Sequence, residues 1–173
     1  MNVILIGMMG SGKSSVGKAL ARKLKWDFFD IDQLIEKELK MTVAQIFETK
    51  GEPEFRKLES EMIRRTAAFD RCVISVGGGA AVRDENWAVF LKSGWVVWLQ
   101  ASPEALLERL KKSKPGTRPL VKDDLSIERI RALLAEREPF YRKAHQTLAT
   151  DGAGVLQAAD QIAAQLKSLG KLS

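Results

Sequence analysis

The stretch Val3-Ile4-Leu5-Ile6-Gly7-Met8-Met9-Gly10-Ser11-Gly12-Lys13-Ser14-Ser15-Val16 decides how this chain is read. Gly7 to Ser14 fits G-x-x-x-x-G-K-[ST], the phosphate-binding P-loop. A short apolar run ending at glycine reads as a buried strand. The apolar residues Val16, Leu20 and Leu24 then recur at helical spacing. A strand, a glycine-rich turn and a helix in that order aim backbone N–H groups and the positive end of the helix at one spot. In such a loop Lys13 reaches the β- and γ-phosphates and the Ser14 hydroxyl ligates Mg²⁺. Gly10, Ser11, Gly12, Lys13, Ser14 and Ser15 are therefore the candidate residues for ATP.

Outward from this loop, strands and helices alternate. Strands are expected at Asn2–Ile6, Trp26–Asp30, Arg71–Val76 and Trp95–Leu99, with a weak fifth at Thr147–Ala149. Helices are expected over Lys13–Lys25, Ile31–Leu39, Thr42 to about Thr49, and about Glu54 to Ala68. Further helices follow at Asp84–Lys92, Ser102 to about Lys112, Ser126 to Tyr141 despite Pro139, and Val155–Leu169. Trp95 and Trp98 fall on opposite faces of their strand, which reads as core packing on both sides of a sheet. Ser113–Asp124, polar and containing Pro115 and Gly116, is the expected mobile segment. The pattern is that of an α/β domain with a parallel sheet covered on both faces, a single domain over residues 1–173.

Composition bounds the function. The 173 residues carry a formal net charge of +6, which suits anionic ligands without distinguishing nucleotide, nucleic acid or metabolite. No block of basic residues interleaved with aromatics stands out, so nucleic acid is not an expected partner. Cys72 is the only cysteine and His145 the only histidine, which excludes intrachain disulfides, Cys-based metal sites and His clusters. The four-residue apolar run at the start is too short for a signal sequence or a membrane span. A cytoplasmic location and no membrane partner are expected. No heptad stripe is present, so a monomer is the default.

Two readings of the P-loop are weakened by what is missing. The guanine-reading string N-K-x-D does not occur, and the third strand ends in Gly77-Gly78-Gly79 where motor-type ATPases carry an aspartate. Carboxylates appear instead in Phe29-Asp30-Ile31-Asp32, at the end of the second strand. Two acids there face the C-terminal edge of the sheet, where open α/β sheets bind ligands. One suits Mg²⁺ through water and one suits a hydroxyl proton. The alternative is that Asp32 caps the next helix.

With these residues in view, the sequence resembles the shikimate kinases along nearly its whole length. The resemblance rests on the P-loop through Gly17, Phe29-Asp30-Ile31-Asp32, and Ile46-Phe47 followed by Gly51-Glu52-Pro53-Glu54-Phe55-Arg56. It extends through Gly77-Gly78-Gly79, Arg118-Pro119-Leu120 and Arg137-Glu138-Pro139-Phe140-Tyr141. It implies a P-loop NTPase fold like adenylate kinase, with a five-stranded parallel sheet. It also implies a helical substrate-binding region over about 31–60 and a lid over about 112–124.

The activity implied is ATP-dependent phosphorylation of the 3-hydroxyl of shikimate, in aromatic amino-acid biosynthesis. ATP and shikimate are then the partners and Mg²⁺ the cofactor. The resemblance assigns Arg56 and Arg137 to the substrate carboxylate, a task suited to a planar guanidinium fork. It assigns Asp32 to the reacting hydroxyls, Gly77, Gly78 and Gly79 to the substrate wall, and Asp30 to the metal through water. Lys13 and Arg118 fall to the transferring phosphates and Arg109 to the adenine. Asp151-Gly152-Ala153 lies where the family contacts adenine from the other side. A kinase for another hydroxy acid such as gluconate, a catalytically dead nucleotide-binding module and a nucleic-acid binder remain the alternatives.

Overall fold

The computed structural model describes residues 1–112 and 125–172. Arg118 and the expected lid from residue 113 onward lie outside the described residues.

β1 (Asn2–Ile6) is buried at every residue and runs through the middle of the sheet. It pairs in parallel with β3 (Cys72–Ser75) on one side and β4 (Gly94–Gln100) on the other. β2 (Asp27–Asp30) lies outside β3, and β5 (Gln146–Ala149) lies outside β4. The order β2-β3-β1-β4-β5 is entirely parallel, as the strand–helix alternation predicts. All five expected strands are present, within a residue or two of their expected ends.

Side chains alternate along β1. Val3 and Leu5 pack against α1 (Lys13–Leu24) and α8 (Val155–Ser168), through Leu20, Ile162 and Leu166. Ile4 and Ile6 enter the second core with Phe90 of α5 (Asp84–Ser93), Leu106 of α6 (Pro103–Lys111) and Tyr141 of α7 (Ile127–Tyr141). A strand covered on both faces has no polar side to present, which is why its sequence is continuously apolar. Trp95 joins the first core and Trp98 the second, on opposite faces as expected.

The region before β3 holds α2 (Ile31–Leu39), α3 (Val43–Lys50) and α4 (Glu52–Ala67). Thr42 and Gln45 form a complete capping box that starts α3. α4 begins two residues before its expected start because Pro53 suits the first turn, and Glu52 and Glu54 favour the positive helix end.

The connection after β1 leads toward β2, and the one after β3 leads to β4 on the opposite side of β1. Neighbouring strands whose connections diverge open a crevice at their C-terminal ends. The P-loop follows β1 and Gly77–Gly79 follows β3, so both glycine segments border that crevice.

Candidate active site

The crevice is a cavity of about 640 Å³. Gly10, Ser11, Gly12, Lys13, Ser14, Ser15, Asp30, Asp32, Arg56, Gly77, Gly78, Gly79, Arg109 and Arg137 all line it. Of the expected loop Asp151-Gly152-Ala153 only Ala153 joins them in lining this space.

One half of the cavity is backbone. Gly10 and Gly12 have φ of 81° and 93°, a region that glycine enters without steric cost. Gly12 caps α1 with no side-chain hydrogen bond, so the N–H groups of the first turn stay open to a ligand. Lys13 folds over the loop, donating from Nζ to the Gly7 and Met8 carbonyls at 2.9 Å each. The Ser11 hydroxyl is buried without a hydrogen-bond partner among the described residues.

Ser14 Oγ donates to Asp30 Oδ2 at 2.6 Å, so the two expected metal-site residues are adjacent. Asp30, not Asp32, is the N-cap of α2, its other oxygen accepting from the Gln33 N–H at 3.4 Å. That corrects the capping alternative for Asp32, which sits in the first helical turn with Oδ1 buried and without a hydrogen-bond partner among the described residues. Among the described residues no three His, Cys, Asp or Glu side chains gather as a metal cage. A hydroxyl and one carboxylate nevertheless fit Mg²⁺, which is commonly held by one or two protein oxygens plus phosphate and water.

The other half is made of side chains from separate elements. Arg56 projects from α4, donating from Nη1 to Glu59 Oε2 at 2.8 Å and from Nη2 to Glu52 Oε1 at 2.9 Å. A Cβ on Gly79 would come within 2.4 Å of the Arg56 guanidinium, so only glycine allows this approach. Arg137, on α7, is 4% exposed; its Nη1 donates to Met8 Sδ at 3.7 Å, and among the described residues no carboxylate lies at salt-bridge distance and its Nε has no partner. Burial, followed by the nearby charges of Glu59 and Asp30, pushes the Asp32 carboxyl up to about 7, against Lys13 and Arg56.

Arg109 reaches from α6 to the Gly10 carbonyl at 3.3 Å and the Thr150 carbonyl at 2.8 Å. These bonds lie in the guanidinium plane and leave its face for stacking. Ala153, Gly154 and Val155 line the same cavity. Asp151 anchors this loop by accepting from the Ser102 N–H at 3.0 Å.

Sequence reasoning missed Glu59, which lines the cavity with a fully buried side chain and holds Arg56. Its only signal was the spacing of three residues from Arg56, one of several such ion pairs on α4.

A P-loop at a switch point, facing a pocket of buried guanidinium and carboxyl groups, defines a phosphotransferase acting on a small anion. Comparison with known proteins narrows this. The shikimate kinase family model matches residues 9–167. A shikimate kinase of Symbiobacterium thermophilum is 41% identical over 172 residues, covering 99% of each chain. One from Thermus thermophilus is 43% identical over 95% of this chain and 89% of its own. The structure of a shikimate kinase from Acinetobacter baumannii in complex with shikimate superposes with a TM-score of 0.92. It is 34% identical and covers 99% of this chain and 95% of that one. Deoxyadenosine kinase from M. mycoides with bound dATP shares the fold alone, at 14% identity and a TM-score of 0.65 over 96% of this chain and 100% of its own. The chain belongs to the shikimate kinase family.

Proposed function

We propose that this chain transfers the γ-phosphoryl group of ATP to the 3-hydroxyl of shikimate, giving shikimate 3-phosphate and ADP. The observation that carries this is Arg137, a guanidinium 4% exposed that makes no salt bridge among the described residues, its Nη1 donating to the Met8 sulfur at 3.7 Å while Glu59 acts on it from a distance. Burying a charge without an ion-pair partner in contact is costly. An anionic substrate offsets that cost, and the shikimate carboxylate is the anion this family's name supplies.

The residue roles follow from chemistry. The P-loop N–H groups and Lys13 hold the β- and γ-phosphates, and Lys13 shifts from the loop carbonyls to the phosphoryl group. Arg118 is assigned as a further cation on the phosphates, within a lid over about 112–124. Arg56 and Arg137 fix the acceptor carboxylate, and the region over about 31–60 surrounds the acceptor. Asp32 positions the acceptor hydroxyl and takes its proton; a carboxyl with pKa of about 7 is matched to that transfer. Ser14 directly and Asp30 through water would hold Mg²⁺, which would supply charge to offset that developing on the phosphates. Arg109 and the loop from Asp151 enclose the adenine.

Both halves of the cavity come from one chain, which supports a monomer as the working unit. No described helix is long and apolar enough to cross a membrane. We assign the protein to the cytoplasm, where ATP is available.

A coupled ADP-release assay over a panel of hydroxy acids tests the reading. Turnover should be fastest with shikimate. Faster turnover with gluconate would overturn the acceptor assignment, and no turnover with any acceptor would revive the inactive nucleotide-binding module.

A further inference from the structure

The mechanism gives Tyr141 no task, although it ends the R-x-P-x-Y motif one helical turn after Arg137. Its side chain is fully buried, and its hydroxyl donates to the Gly78 carbonyl at 2.6 Å. Two buried side chains of α5 act the same way just beyond. Asn86 Nδ2 donates to the Ala80 carbonyl at 2.9 Å, and Trp87 Nε1 donates to the Ala81 carbonyl at 2.6 Å.

The turn itself uses the remaining carbonyls. Ala80 N–H donates to Gly77 O at 3.0 Å and Val82 N–H to Gly79 O at 3.3 Å. Every carbonyl from residue 77 to 81 is therefore committed to a protein donor, two within the turn and three to side chains of α5 and α7. In a trans peptide the C=O and the following N–H point to opposite sides, and no cis peptide bond occurs among the described residues. Tying the Gly78 carbonyl back to Tyr141 turns the Gly79 N–H the other way. Three successive glycines have no conformational preference that would hold this orientation unaided.

We propose that Tyr141, Asn86 and Trp87 are positioning residues that fix the Gly77–Gly79 loop with its N–H groups presented to the acceptor. They set acceptor affinity without touching the acceptor. The inference rests on the acceptor reading given above, which turnover of shikimate by the unaltered enzyme tests separately. Burial pushes the Tyr141 phenol up to about 12, so it remains a donor throughout the working range. Arg137 and Tyr141 share a face of α7, and both crowd Gly78, where an added Cβ would lie 2.9 Å from Arg137 Nη1 and 3.4 Å from the Tyr141 hydroxyl.

Tyr141→Phe and Trp87→Phe each delete one donor and keep an aromatic ring. Trp95→Phe is the control: it removes an indole bond to Gln146 on the far face of the sheet. Steady-state kinetics should give a KM for shikimate raised about 10-fold in Tyr141→Phe and about 3-fold in Trp87→Phe, with KM for ATP within about 2-fold. Trp95→Phe should leave both KM values within about 2-fold, however its melting temperature moves. An unchanged KM for shikimate in the Phe variants would overturn the proposal. So would equal rises in both KM values, or the same split in Trp95→Phe. Should Tyr141→Phe not fold, Trp87→Phe carries the same test.

Discussion

The two halves of the cavity are built in opposite ways. The donor half is mostly main chain: residues 7–12 form a contiguous loop that runs into the first turn of α1, whose N–H groups are left open. The acceptor half is mostly side chain, with Asp32 from α2, Arg56 and Glu59 from α4, and Arg137 from α7. These are joined only by the fold and by the loop after β3. A contiguous loop is specified locally and serves any nucleotide-dependent reaction. A dispersed constellation depends on how helices pack, and it carries the choice of acceptor.

Substitutions can break this comparison, the largest effect coming from the donor side. Lys13→Ala should lower kcat by about 10³-fold or more, since charge on the phosphoryl group in transit loses its main protein cation. Near-normal kinetics would remove the P-loop from the mechanism. Arg137→Ala should raise KM for shikimate about 100-fold and KM for ATP by about 2-fold or less. Equal effects on both substrates would show that Arg137 does not belong to the acceptor half alone.

Asp32 sharpens the comparison through pH. Its folded pKa, about 7, lies above the ordinary 3.8, so the folded protein holds a proton that the unfolded chain has released. Stability is therefore greatest at low pH with respect to this group and declines as pH rises from about 4 to about 7. Asp32→Asn should accordingly stabilise the ligand-free fold at pH 8 by a few kcal/mol, while turnover collapses. Chemical denaturation at pH 5 and pH 8 checks this: a variant no more stable than the parent at pH 8 would contradict it. With the intact enzyme, kcat/KM should fall on the acid side of about pH 7, where the base is protonated.

The smallest effect lies outside both halves. His145 stacks on Trp95 with ring centroids 4.6 Å apart, and its Nδ1 accepts from the Val96 N–H at 2.9 Å. Burial, with Lys171 nearby, lowers its pKa and so favours the neutral ring, the form that accepts this bond. The stability it contributes is present above the ordinary value of 6.5 and is lost as pH falls below it. His145→Gln should flatten melting temperature against pH between about 5 and 7 without changing either KM. A KM that moved with this variant would mean the site is sensitive to strain anywhere in the sheet, and the division into halves would lose its meaning.

How much was readable follows the same line. β1 and the P-loop were legible because one short segment carries its own periodicity, punctuation and chemistry. Arg56 and Arg137 were legible only through motif context, since nothing local distinguishes an inward arginine from a solvated one on helices rich in charge. The order β2-β3-β1-β4-β5 was not legible, because strand order is set by packing between segments distant in the chain. Glu59, Asn86 and Trp87 were missed for that reason. Glu59 looks like one more acid on an amphipathic helix until α4 turns it inward against Arg56. Asn86 and Trp87 look like ordinary α5 residues until that helix packs on the turn after β3. Asp30 and Asp32 were placed correctly at the edge of the sheet, with their local roles separated only by the helix start between them.

Calorimetric titration of shikimate into the Lys13→Ala protein tests the central claim most directly. If the two halves are separately built, shikimate binds this variant about as tightly as it binds the parent, while the same titration into Arg137→Ala shows affinity reduced about 100-fold. Loss of shikimate binding in both variants alike would contradict the account.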